Sequence, residues 1–174
     1  TREPGGTKSA ELIRNLILKD YFTKDTNEKF DKYTDTLLYL AARNEHIKNK
    51  IKPALLKKKV VICDRFIDST IAYQHYGFGI DLRLINFINK YLLKDFKIDY
   101  TFLNVVNQKN LIKRLKMRKS LNRYDRFNIK FYTKVQKGFI NIAKKRKNKY
   151  KIINSNLDTI FNRNQVIKSI NKLI

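Results

Sequence analysis

Three short runs rich in β-branched and aromatic residues, Val60-Val61-Ile62-Cys63, Tyr100 to Val106 and Tyr150 to Ile153, are separated by segments whose apolar residues recur at helical spacing. Nothing else in the sequence constrains the fold as tightly, because strands that alternate with helices pair in parallel and use each helix as the crossover. The chain is therefore expected to be an α/β domain with a parallel sheet flanked by helices. Val60 to Cys63 is continuously apolar after Lys57-Lys58-Lys59, the pattern of a strand covered on both faces. Tyr100 to Val106 reads as a second buried strand and Tyr150 to Ile153 as a third. Ala10, Leu12, Ile13, Leu16 and Ile17 predict a helix ending near Asp20, followed by a polar loop over 23–29. A long helix is predicted from about Phe30 to Leu56, bent or interrupted by Pro53. Further helices are expected over 69–76, broken by Gly77 and Gly79, and over 82–93, 111–119, 131–145 and 165–173.

At 174 residues, without an internal repeat or a Gly/Ser/Pro-rich linker, the chain is expected to be one domain spanning 1–174. Hydrophobic residues make up 43% of it, enough for a core. No apolar run approaches the roughly 20 residues that cross a bilayer, and no signal-peptide pattern opens the chain, so no membrane partner and a cytoplasmic location are expected. One cysteine excludes an internal disulfide, and with only two histidines beside it no Cys/His metal site is expected. Lys and Arg number 39 against 15 Asp and Glu, a net charge of +24. Such a balance fits nucleic-acid binding, an anionic small ligand, or a general compositional bias. The basic residues are spread along the whole chain rather than gathered in a stripe, which argues for the bias and against a nucleic-acid partner.

Asp64-Arg65 follows the first apolar run, at the carboxyl end of a strand, where open α/β sheets present their ligand crevice. Arg65 offers a planar fork of donors suited to phosphate, and Asp64 could orient it or hold a magnesium-bound water; a plain surface ion pair is the alternative. Tyr39 and Arg43, four residues apart, share a helix face and suit a flat heterocycle, though half-buried packing would place a tyrosine there too. Arg114, Arg118, Arg123 and Arg126, interleaved with Lys113, Lys116 and Lys119, could close over phosphoryl oxygens or form a solvated basic face. Cys63, at the end of an apolar run, reads as packing and not as a nucleophile.

Taken in order, Thr1-Arg2-Glu3-Pro4-Gly5-Gly6-Thr7, a helix carrying Arg14, Leu38-Tyr39-Leu40-Ala41-Ala42-Arg43, Asp64-Arg65-Phe66 with Ser69, Ala72-Tyr73-Gln74 and Gly79-Ile80-Asp81 resemble the bacterial thymidylate kinase (dTMP kinase) family. The resemblance runs from Thr1 to the closing helix. It implies a P-loop nucleoside monophosphate kinase-like fold, transfer of a phosphoryl group from ATP to dTMP with Mg2+, and a homodimer. Under it, Tyr39 stacks on thymine, while Arg43 and Gln74 read the base edge, with Ser69 and Thr70 beside them and Pro4 and Tyr73 in the same substrate-binding set. Arg14 and Arg65 grip the dTMP phosphate. Glu3 and Asp64 fall at acidic positions near phosphate and metal, Asp64 being the better candidate for the ion. A segment of about 114–130 resembles the lid, whose Arg118, Arg123 and Arg126 approach the ATP phosphates and join Asp64 and Arg65 as the catalytic set.

The sequence also departs from the family. Phe127-Asn128 follows Asp125-Arg126 where an acidic residue is frequent, Asn154-Ser155 stands where Asp-Ala is common, and Ile98 and Val105 replace the usual Pro and Asp. Nothing in the chain matches Gly-x-x-x-x-Gly-Lys-Ser/Thr, the loop that cradles nucleotide phosphates. The chain begins with Thr1, not Met. The expectation is a front-truncated sequence lacking roughly 35 residues of strand, loop and helix at ordinary element lengths. The first, central strand would then be missing, and the isolated polypeptide should fold poorly and fail to phosphorylate dTMP. Two other readings stay open: a related nucleoside or nucleotide kinase, and a basic nucleic-acid-binding module.

Overall fold

The computed structural model describes residues 1–19, 28–94, 96–119 and 121–173. Helix starts are set by local chemistry, because a short polar side chain just ahead of a helix accepts one of its otherwise unpaired amides. Thr7 Oγ1 accepts from Ala10 N at 3.2 Å to open α1 (Lys8–Leu18), and Asp31 accepts from Tyr33 N at 2.7 Å to open α2 (Lys32–His46). α1 and α2 pack on each other, burying Ala10 and Ile17 of the first and Tyr39, Leu40 and Ala42 of the second. Asp20, the expected end of α1, and the expected loop as far as residue 27 lie outside the described residues. So does Ser120, inside the expected lid.

Pro53 does not interrupt the long helix. α2 continues through a widened π turn, Ile47–Ile51, into α3 (Lys52–Leu56), and Lys52 N donates to Ile47 O, five residues back. A proline has no N–H to give and its ring crowds the carbonyl four residues earlier, so the wider turn accommodates it.

The expectation that Val60 to Cys63 is a strand covered on both faces is overturned. Val60 is 65% exposed and Ile62 68% exposed, and the run joins no sheet among the described residues. Its neighbour is the opening segment, through a parallel bridge between Arg2 and Asp64. A strand becomes apolar-buried on both faces only with paired neighbours and covering helices, and here the pairing is confined to the end of the run, between Thr1–Glu3 and Ile62–Asp64.

The sheet is parallel, as its alternation with helices requires. β1 (Thr101–Val105) pairs with β2 (Tyr150–Asn154), with Leu103 opposite Ile152. Between them run α6 (Gln108–Lys116), a short 3-10 turn (Arg123–Arg126) and α7 (Ile129–Lys145). Tyr100 to Val106 was expected buried throughout; Leu103 is, while Asn104 is exposed, and in β2 Ile153 is buried while Ile152 is 49% exposed. Successive side chains point to opposite faces and partnered residues share one, so Leu103 and Ile153 are buried on opposite faces, and each face is covered at one strand and open at the other. α8 begins at Thr159, not Gln165, because Asp158 caps it by accepting from Ile160 N and Phe161 N.

α4 (Ile67–Thr70) runs into a second π segment, Ile71–Gly77, that lies along α7. Gly138 permits the approach: a Cβ there would sit 2.6 Å from the Tyr76 ring. Ile67, Ile71 and Ile80, Ile85 of α5 (Leu82–Leu92), and Ile142 of α7 form one core cluster. Burying such a side chain contributes about 1.5–3 kcal/mol. Alongside it, Tyr73, Phe78, Phe127 and Phe131 pack edge to face or stacked, the Phe127 and Phe131 rings 4.5 Å apart.

Candidate functional site

Glu3 N donates to Asp64 O and Asp64 N to Thr1 O, both at 2.9 Å, which fixes the opening loop beside the end of the Val60 to Cys63 run. The Glu3–Pro4 peptide is cis. The Glu3 carboxylate is buried. Its Oε2 accepts from Arg43 Nε at 2.8 Å, and its Oε1 pairs with His46 Nδ1 at 3.0 Å. Arg43 also donates to Asn89 Oδ1 of α5 and to Thr70 Oγ1 of α4, each at 2.8 Å. All five residues are buried. A buried charge is tolerated only when its donors and acceptors are matched, so this network locks α2, α4 and α5 to the opening loop. Both oxygens of Glu3 are committed to Arg43 and His46, so in this structure Glu3 braces the opening loop against α2.

Arg65 adopts a left-handed backbone, φ 63°, which for a residue with a Cβ costs about 1–2 kcal/mol. That conformation turns its guanidinium over the Tyr73 ring, 4.5 Å from the centroid. Arg14 donates to Pro4 O at 2.8 Å and is half-buried. Gly6, at φ 88°, makes the close turn ahead of α1: a Cβ there would lie 2.7 Å from the His46 ring.

Two adjoining spaces share Glu3, Pro4, Tyr39 and Arg65 as walls. The larger is a cavity of about 450 Å3. Arg14, Asp64, Tyr73 and Arg118 line it, together with Arg2, Tyr124, Asp125 and Tyr132. The smaller, about 10 Å3, is lined by Arg43, Phe66, Ser69, Thr70 and Gln74 as well as the shared walls. It is about the size of one water, so a ring can enter only if these walls separate. Gln74 is 1% exposed and its Nε2 has no hydrogen-bond partner. An unpaired buried amide costs about 1–3 kcal/mol, and here the amide belongs to a residue bordering the pocket.

The arginines of the expected lid separate. Arg118 pairs with Asp125 at the cavity wall. Asp125 also accepts from Asn122 N at 3.0 Å, closing a capping box around the 3-10 turn. Arg123 lines neither space; one of its terminal nitrogens lies between the two oxygens of Asp35 on α2. Arg126 lines neither space either. Burial raises the Tyr39 phenol, and the Arg65 charge opposes it only partly. Burial pushes Tyr132 up to about 12. These phenols stay protonated near neutrality and act as hydrogen-bond donors. Burial likewise pushes the Cys63 thiol up to about 12, far from a nucleophile.

Comparison with known proteins decides the family. Its sequence model, thymidylate kinase, matches residues 1–166. The chain belongs to the thymidylate kinase family. A thymidylate kinase of Wolbachia sp. subsp. Brugia malayi is 47% identical over 143 residues, covering 82% of this chain and 64% of that protein. One from Ehrlichia chaffeensis is 42% identical over 159 residues, covering 91% and 73%. The crystal structure of thymidylate kinase from Ehrlichia chaffeensis superposes with a TM-score of 0.73 at 36% identity, covering 97% of this chain and 79% of that one. The chain thus spans about two thirds to four fifths of the length of these thymidylate kinases, and the P-loop kinase fold of the family accounts for its parallel sheet between helices.

Four residues of the site were not singled out in the sequence. His46 and Asn89 complete the Glu3–Arg43 network, and no local pattern marks them. Tyr124 and Asp35 join the 3-10 turn to α2. Asp35 lies one turn before Tyr39 on the same face, and that spacing was the available signal.

Proposed function

We propose that this member of the thymidylate kinase family acts in the transfer of the γ-phosphoryl group of ATP to dTMP, giving dTDP and ADP. The observation that supports the reading most directly is that Tyr39, Arg43, Arg65 and Gln74, distant in sequence, border one pocket opening on a larger cavity edged by Arg14, Asp64 and Arg118. Phosphoryl transfer asks for positioning and charge neutralisation rather than a covalent nucleophile, and the cavity offers guanidinium groups and phenols of that kind. In this reading Tyr39 holds the thymine ring and Gln74 Nε2 donates to a base carbonyl. Arg43 sets the wall by its bonds to Glu3, Thr70 and Asn89, with Ser69 and Thr70 beside the base and Pro4 and Tyr73 shaping the entrance. Arg14 and Arg65 neutralise the dTMP phosphate, and Arg118 faces the donor phosphates.

Magnesium usually takes one or two carboxylates plus substrate phosphates. Among the described residues no cluster of three His, Cys, Asp or Glu could hold a metal, which suits an ion held largely by substrate. Asp64, exposed at the cavity and outside the Glu3 network, would hold it. Bound there, the ion would neutralise charge on the phosphoryl oxygens.

The reading extends to a single domain over 1–174 with a lid at about 114–130, a homodimer, and a cytoplasmic protein. The exposed Leu12 and Leu16 of α1 and Leu37 of α2 suit a dimer face. Among the described residues no helix is long and apolar enough to cross a membrane.

Calorimetric titration of the chain with dTMP, dUMP and dCMP tests the reading. Preferential binding of dTMP is the expected result, with dTMP-dependent ADP formation once a Gly-x-x-x-x-Gly-Lys-Ser/Thr segment precedes Thr1. No thymidine preference, with salt-sensitive DNA binding instead, would overturn it.

A further inference from the structure

Asp35 is 4% exposed in the first turn of α2. A helix N-terminus favours an acidic residue but does not explain burying one, since carboxylates are almost never buried unless paired. Its partners come from far along the chain. One terminal nitrogen of Arg123 contacts both carboxylate oxygens, and Tyr124 Oη donates to Oδ2 at 3.1 Å, across 88 and 89 residues. Within the turn, Asn122 and Asp125 form a capping box, Arg118 pairs with Asp125, and Tyr132 Oη donates to Tyr124 O at 2.8 Å. The Asp35 contacts bring the turn onto the pocket. The Tyr124 ring meets Tyr39 edge-on with centroids 6.1 Å apart, and meets Tyr73 at 5.8 Å.

We propose that Asp35 is a positioning residue that latches the lid turn Arg123–Arg126 onto α2, so that Arg123 anchors the lid rather than gripping phosphate and Tyr124 braces Tyr39 from above. Three features point the same way. A guanidinium held between carboxylate oxygens is poorly placed to receive a phosphate, and Arg123 lines neither space while Arg118 lines the cavity. Asp35 and Tyr39 are one helical turn apart, so the latch and the stacking ring move as one unit. The Arg123 side chain is 20% exposed and its Nε has no partner, so the attachment sits at the edge of the core, where it can open without unfolding α2. The effect on the pocket rests on the dTMP reading; the latch itself does not.

The test compares the chain with Asp35→Asn, Arg123→Gln, the two together, and Asp35→Glu, by hydrogen exchange without ligand and by dTMP titration. Amides of residues 123–127 are expected to exchange on the order of tenfold faster in either single variant and no faster in the double, because both remove one shared contact. Asp35→Glu should restore most of the protection, and the amides of Val135 to Ala143 in α7 should not change. dTMP affinity should fall on the order of tenfold in the same variants and recover in Asp35→Glu. Unchanged exchange in Asp35→Asn, additive effects in the double variant, or equal loosening of α7 would overturn the latch. A loosened lid with undiminished dTMP affinity would overturn the positioning role. Failure of the unaltered chain to bind dTMP would count against the nucleotide reading, while the exchange comparison would still decide the latch.

Discussion

Two acids hold two arginines in this molecule, in contrasting ways. Glu3 and Arg43 are sealed in the interior, with His46, Thr70 and Asn89 filling their remaining hydrogen bonds. Asp35 and Arg123 meet at the boundary between a helix and a short turn, with the arginine partly in solvent and one donor unpaired. The same pair of charges therefore serves as a rigid brace in one place and as a releasable catch in the other. The difference lies in how many of the surrounding groups are fixed by packing, since an ion pair is only as stiff as the elements that carry it.

That contrast predicts a hierarchy. Glu3→Gln leaves Arg43 buried without its counter-charge and should lower stability by about 3–5 kcal/mol in urea unfolding. A loss no greater than that of Asp35→Asn would erase the distinction between brace and catch. Arg65→Ala should weaken dTMP by about ten- to a hundredfold, the value of a charge-assisted contact of 1.5–3 kcal/mol, without loss of melting temperature. Arg65→Gly should weaken dTMP equally while gaining about 1 kcal/mol of stability from the relieved left-handed backbone. If both variants kept normal affinity, Arg65 would belong with the structural arginines.

Gln74→Leu sharpens the division on the interior side. It removes an unsatisfied buried amide, so stability by thermal denaturation should hold within about 1 kcal/mol or rise, while dTMP affinity falls. A large loss of stability would show that Gln74 is a member of the brace. The smallest effect is expected from Asp31→Ala, which removes the cap of α2 and should cost about 1 kcal/mol by circular dichroism melting. Because α2 carries both Asp35 and Arg43, this loss should fall on brace and catch alike.

Much of the architecture was legible in the sequence because it is local. Apolar periodicity located most helices within a few residues but placed the start of α8 at Gln165 instead of Thr159, because the starts are set by Thr7, Asp31, Asp81, Asn107, Asn128 and Asp158 accepting amides just ahead, which periodicity does not report. The parallel pairing of β1 with β2 followed from the helices between them. Val60 to Cys63 shows the limit, since an apolar run signals a wish to be covered but not whether a neighbour arrives. Tyr39 and Arg65 were readable as site candidates from type and position, and Gln74 only through the family resemblance. That Arg43 is enclosed and Arg123 turned away from the cavity was not.

The sequence by itself determined the alternation of elements, their capping and the chemical repertoire of the site, because these depend on residues within about one turn of each other. Tertiary structure alone decided which arginine braces, which one latches and which ones face the cavity. Partners 27 to 89 residues apart make that choice, and no periodicity within one element reports what another element brings against it.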